Sequence, residues 1–103
     1  MKQLLLVLLL LPLGIIAQEK ATISGYLTDA QNGEYLIGAK VYIPSISAGA
    51  LTNNYGFYSL TIPIGTYQIQ FRATGLETVV KTVEVLKDTQ INIEIGSSIG
   101  TRH

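Results

Sequence analysis

Cysteine is absent from the 103-residue chain, which excludes a disulfide framework and any thiolate metal centre. Tryptophan is absent too, and His103, at the C-terminal end, is the only histidine. A zinc site with several imidazole ligands therefore cannot be assembled, nor can a serine–histidine relay, because base and nucleophile must be mutually positioned. Ser24, Ser45, Ser47 and Ser59 have no histidine within the body of the chain. Neither sign of charge is in excess, with seven Lys and Arg against seven Asp and Glu. No basic cluster stands out, so nucleic acid is not an expected partner. The carboxylates lie scattered in turns and at outward strand positions, which implies no cleft for glycoside hydrolysis. Neither common glycine-rich phosphate loop is present. The composition points away from an enzyme, and it calls for no cofactor and no metal.

The one long hydrophobic run is at the N-terminus. Met1-Lys2-Gln3 carries a positive charge, Leu4 to Ile16 is uncharged, and the small Ala17 precedes Gln18. This run is shorter than the ~20 residues of an ordinary membrane span but suits the apolar region of a secretory signal. Pro12 and Gly14 would break a helix near its end. Residues 1–17 are therefore expected to be a cleaved signal peptide, which predicts export. Removing them takes away Lys2 and leaves six basic against seven acidic residues. Nothing after Ala17 is apolar for long enough to cross a bilayer as a helix.

Residues 18–95 read as strands. Ile23, Gly25 and Leu27 alternate with Thr22, Ser24, Tyr26 and Thr28. Asp29 to Glu34 contains Asn32-Gly33, a strong turn signal, and Leu36 is expected to plug one end of the core. Ala39, Val41 and Ile43 then alternate with Lys40 and Tyr42, and a short strand is expected around Leu51-Thr52. From Thr52 to Gly75 the chain reads as a turn at Asn53, Asn54 and Gly56, a strand with Tyr58, Leu60 and Ile62 on one face, and a turn at Pro63-Ile64-Gly65. A second strand follows, carrying Tyr67, Ile69 and Phe71. Period-2 alternation on both sides of a short turn predicts an antiparallel hairpin, whose apolar face needs a second layer. Glu77 to Leu86 supplies Val79, Val83 and Val85, with Lys81 at an edge. Thr89 to Ile95 places Ile91, Ile93 and Ile95 inward and Asn92 and Glu94 outward. The whole predicts an all-β fold, a seven-stranded antiparallel β-sandwich. Residues 96–103, GSSIGTRH, are expected to be a linker or the start of a further domain.

Several of these segments together resemble a known module. They are ISGYLTD at 23–29, NGEYLIGAKV at 32–41, TNNYGFYSL at 52–60 and PIGTY at 63–67. They are similar to the carboxypeptidase-regulatory-like domain, whose fold is transthyretin-like (prealbumin-like). Tyr35 stands where that family often has proline, and Asn53 where it often has aspartate. The resemblance implies an accessory module without chemistry of its own. In bacteria such modules often precede the plug and barrel of TonB-dependent outer-membrane receptors, which implies nutrient uptake, a periplasmic or outer-membrane location in a Gram-negative cell, and a receptor barrel as partner. The same module also occurs as the appendage of zinc carboxypeptidases and in surface proteins. A freestanding secreted module that binds carbohydrate or protein is therefore the alternative.

Two sets of residues are candidates for binding. Asp29, Asn32 and Glu34 offer oxygen ligands, but a hard cation needs six to eight of them in a fixed loop, and an Asx-type turn explains the same residues. Tyr26, Tyr42 and Phe57 are expected to point outward. Exposed aromatics mark faces that bind a glycan or a protein, or they brace neighbouring strands.

Overall fold

The computed structural model describes residues 19–97; the expected signal peptide, the tail beyond Ser97 and His103 lie outside the described residues. Eight strands follow in chain order: β1 (Lys20–Asp29), β2 (Lys40–Ile43), β3 (Ala48–Leu51), β4 (Phe57–Pro63), β5 (Gly65–Arg72), β6 (Val79–Val85), β7 (Thr89–Gln90) and β8 (Ile93–Ile95). A single 3-10 turn at Pro44–Ile46 joins β2 to β3. The strands form two four-stranded sheets. One has β1 at its centre, with β4 on one side and β7 and then β8 on the other; the second runs β3-β2-β5-β6. Residues at every second position of β1 (Ala21, Ile23, Leu27), β2 (Val41, Ile43), β4 (Tyr58, Ile62) and β5 (Tyr67, Ile69, Phe71) are buried in one cluster with Val85, Ile93 and Ile95. Leu36 is half-buried against that cluster, as its place after the first turn predicts.

The expected hairpin is not one. β4 pairs with β1 in the first sheet, whereas β5 pairs with β2 and β6 in the second. Pro63-Ile64-Gly65 is therefore an arch that crosses from sheet to sheet. Local turn chemistry serves a hairpin and an arch alike; the choice falls to the core. Each strand has one apolar face, and an arch lets Tyr58 and Ile62 face Tyr67, Ile69 and Phe71 across the sandwich instead of lying beside them. The crossing is fastened twice: Ile64 donates its amide to the Glu19 carbonyl at 3.1 Å, and the Tyr67 hydroxyl donates to the Pro63 carbonyl at 2.7 Å.

The C-terminal strand also departs from expectation. It is split into β7 and β8, which raises the strand count to eight, and both pieces run parallel to β1, so the sandwich is not wholly antiparallel. The break lies at Ile91-Asn92, beside Gly25. There the Ile91 amide donates to the Ser24 carbonyl at 2.7 Å, while the Asn92 side-chain oxygen accepts the Tyr26 amide at 2.9 Å. Asp88 does the same for the Thr22 amide at the start of β7. Side chains thus satisfy the β1 donors where the partner backbone leaves register.

Tyr58 closes this arrangement from the core. Its ring packs edge-on against Phe71 at 6.2 Å, and its hydroxyl donates to the Ile91 carbonyl at 2.8 Å. Burial pushes the phenol above its ordinary value of about 10. The folded chain therefore holds this proton more tightly than the unfolded chain does. The stability it confers is complete below pH ~10 and falls as the pH rises beyond that, by up to ~1.4 kcal/mol per unit. Tyr58→Phe is expected to cost about 1 kcal/mol at neutral pH and to flatten the alkaline decline. Urea unfolding from pH 7 to 11.5 checks both, and equal alkaline slopes in the two proteins would refute the second.

The turn before β4 is set by Asn53, as its residue type predicts. Its side-chain oxygen accepts the Tyr55 amide at 2.8 Å and the Phe57 amide at 3.1 Å, while Gly56 adopts φ 74°, a left-handed conformation glycine enters without steric cost. Asn53→Ala is expected to lower stability by about 1 kcal/mol, with Asn53→Asp close to wild type, since a carboxylate oxygen accepts the same amides. Thermal unfolding of the pair gives the comparison.

Candidate functional site

Tyr26 lies on the outer face of β1, directly opposite Phe57 of β4. Their rings are tilted at 57° with centroids 5.2 Å apart. A third ring completes the cluster. Beyond the end of β4 the chain segment around Tyr35 takes its place beside β1: Thr28 bridges to Tyr35, and the Leu36 amide donates to the Leu27 carbonyl at 2.9 Å. This puts the Tyr35 ring 5.7 Å from Tyr26 at 53°, within the range where tilted aromatic pairs attract. A Cβ on Gly56 would stand 2.8 Å from the Tyr35 Cβ, so Gly56 serves both the turn and the seating of Tyr35.

The other side of Thr28 faces Glu94 of β8. Tyr26, Thr28 and Tyr35 together with Asn92, Ile93 and Glu94 line a shallow groove. One wall is aromatic, the opposite wall holds an amide and a carboxylate, and the Thr28 side chain lies between them. The Asn92 oxygen is committed to the Tyr26 amide, which leaves its NH2 as the free end.

Tyr42 is elsewhere. It projects from β2 on the outer face of the second sheet, where the Lys40 ammonium sits 4.8 Å from its ring centre in a cation–π contact. Lys40, Tyr42, Gly49, Ala50 and Leu51 line a separate, more apolar depression. The structure thus brings Tyr26 and Phe57 together, adds Tyr35, and puts Tyr42 on the opposite face. The sequence reading missed Tyr35 because it follows a turn and belongs to no alternating run.

The acidic turn is built as an Asx-type turn. Asp29 accepts the Gln31 amide at 2.8 Å, Asn32 accepts the Glu34 amide at 2.9 Å, and Gly33 adopts φ 77°. These side-chain oxygens are occupied by backbone. Among the described residues there is no cluster of three or more metal-ligating side chains.

Solved structures share this architecture. A chain of a type II cohesin–X-dockerin complex from Acetivibrio cellulolyticus superposes with a TM-score of 0.67 at 20% identity, over 75% of the present chain and 58% of that one. A DUF3823 family protein from Parabacteroides merdae gives 0.58 at 18%, over 79% and 48%. Hydroxyquinol 1,2-dioxygenase from Pseudomonas putida gives 0.65 at 9%, over 82% and 58%. At these identities the likeness is one of fold alone, and the chain spans between 48% and 58% of each of these relatives. A comparison with curated proteins gives no match. The model of the CarboxypepD_reg-like domain matches residues 23–101, which takes in both sheets and the groove. The chain belongs to this family of non-catalytic, regulatory-like β domains.

Proposed function

We propose that the chain is the accessory, transthyretin-like β-sandwich of a TonB-dependent outer-membrane receptor. It would be exported by its leader, face the periplasm and position or engage a protein partner during nutrient uptake. It carries no reaction centre and needs no cofactor. The observation that carries this reading is the family match over residues 23–101, which follows directly on a segment with the pattern of a secretory signal. The structure from Acetivibrio cellulolyticus is of a protein–protein complex, which supports a role in holding a partner rather than in transforming a substrate. The test is to read the gene past the codon for His103 and to fractionate cells carrying an internal epitope tag. The expected result is an open frame running into plug and barrel sequence, with the tag in the outer-membrane fraction. A stop codon at that point, with the tag in the soluble periplasm or the medium, would overturn it.

A second reading, a freestanding secreted module that binds glycan or protein, is favoured by one observation: the Tyr26–Tyr35–Phe57 cluster, whose two tyrosines are exposed and line the groove while Phe57 is half-buried behind Tyr26. Because Tyr42 lies on the other sheet, Tyr26→Ala and Tyr42→Ala separate the two faces. Tyr26→Ala is expected to weaken binding while Tyr42→Ala leaves it unchanged. Loss of melting temperature in Tyr26→Ala without any change in glycan or partner binding would reduce the cluster to a brace between strands.

A further inference from the structure

We infer that the groove between the Tyr26–Tyr35 pair and the Asn92–Glu94 wall is a binding site for a neutral saccharide. This goes further than the second reading above, on which it rests, by naming the residues and the ligand class.

The ligand must be held by side chains. β1 forms the floor, and at Thr28 it is already paired on both sides, with Tyr35 across one edge and Glu94 across the other. The floor strand itself therefore offers no free backbone at Thr28 to take up an extended peptide by strand addition. The side chains then narrow the chemistry. Tyr35 is 59% exposed, and with Tyr26 it forms a bent aromatic wall against which the C–H face of a pyranose ring can pack. On the facing wall, the Glu94 carboxylate accepts only, and the free end of Asn92 donates only. The Thr28 hydroxyl between them does both. A ligand that satisfies all three must itself donate and accept from adjacent atoms beside a flat apolar face, and vicinal hydroxyls on a sugar ring do so.

Other classes fit less well. A phosphate or nucleic acid would meet the Glu94 charge. A lysine or arginine side chain would suit Glu94 and the rings but would confront the Asn92 donors. A purely apolar ligand would strip water from a carboxylate without replacing it. The groove volume of about 410 Å³ falls within the range of ~300–1,000 Å³ for small-molecule sites. Its open form predicts weak affinity, with Kd roughly millimolar for a single short chain.

The experiment is a 15N-resolved NMR titration of the exported chain with cellohexaose, xylohexaose, maltohexaose and mannohexaose, and separately with tri-lysine. With at least one sugar, shift changes are expected at Tyr26, Thr28, Tyr35, Asn92 and Glu94, and none around Tyr42. Tyr35→Ala and Glu94→Gln are each expected to weaken that binding by about tenfold or more, and Tyr42→Ala to leave it unchanged. Both substituted side chains are exposed, and retention of the dispersed spectrum confirms that the variants are folded. Three outcomes would overturn the assignment: no sugar shifts these residues, the shifts centre on Tyr42, or tri-lysine moves the groove signals while the sugars do not. A protein partner whose binding tracks Tyr26 while every sugar fails would leave the second reading standing and remove the saccharide from it.

Discussion

Replacing Gly25 with alanine is expected to destabilise the domain by at least about 3 kcal/mol and to release the C-terminal strands first. Gly25 lies buried in the middle of β1, and the reason for glycine there is space. A Cβ would stand 2.0 Å from the Ile91 carbonyl oxygen, 2.6 Å from its carbon and 2.8 Å from the Asn92 side-chain oxygen. Two of these are backbone atoms, so no rotamer change relieves the clash. Ile91 cannot simply retreat either. Its amide is bonded to the Ser24 carbonyl and its own carbonyl to the Tyr58 hydroxyl, while Asn92 holds the Tyr26 amide. Moving this segment by an ångström or more breaks three hydrogen bonds and opens the core beside Ile93. A domain of this size has only ~5–10 kcal/mol of stability in total, so the loss is a large fraction of it. Urea unfolding gives the magnitude. Native-state hydrogen exchange locates it: the amides of Tyr26 and Ile91 to Ile95 should lose protection before those of β2 and β5. An unfolding midpoint unchanged by the methyl group would show that the chains do not approach so closely.

The same glycine shows where the sequence is informative and where it stops. Alternation assigns Ile23 and Leu27 to the core correctly, and it does so again for Val41, Ile43, Ile69 and Phe71, because inward and outward positions are fixed by the period of the strand. It says nothing of which strand lies alongside. Gly25 reads as one more inward position, and only the parallel approach of Ile91 reveals why a side chain is forbidden there. The arch at Pro63-Ile64-Gly65 has the same origin: turn residues are local, whereas the choice of sheet is made by the two apolar faces meeting at long range. Around the candidate site, parity alone shows that Tyr26, Phe57, Asn92 and Glu94 point outward. That they gather into one groove depends on β8 running parallel to β1 and on Tyr35 extending the other edge, two pairings that span up to 66 residues of sequence. Tyr42 has the same parity signal as Tyr26, yet sheet membership puts it on the far side of the molecule.

Thr52→Val is expected to cost about 2–4 kcal/mol, although it preserves the shape of the side chain. Thr52 is the one polar or charged residue buried among those described, at 5% exposure, and its hydroxyl does two things at once. It accepts the Ala39 amide at 2.8 Å and donates to the Leu36 carbonyl at 2.6 Å. Its backbone adds two more bonds, from the Thr52 amide to the Ala39 carbonyl and from the Gly38 amide to the Thr52 carbonyl. Together these bonds pin the segment 36–39 to the start of the turn before β4. Valine keeps the volume and removes both side-chain bonds, leaving an amide and a carbonyl without partners in a place water reaches poorly, and each such group costs ~1–3 kcal/mol. Serine keeps the hydroxyl and loses only a methyl group, at about 1 kcal/mol. The expected order of stability is therefore wild type, then Thr52→Ser, then Thr52→Val, whereas hydrophobicity alone would put valine first and serine last. The effect should reach the groove, because Tyr35 precedes the pinned segment by one residue. Hydrogen exchange at Gly38 and Ala39 should quicken in Thr52→Val, and the aromatic contacts between Tyr35 and Tyr26 should weaken in its NMR spectrum. If Thr52→Val proves as stable as Thr52→Ser, the hydroxyl is not the clamp, and the position of Tyr35 must be set by Gly56 and the Thr28 bridge alone.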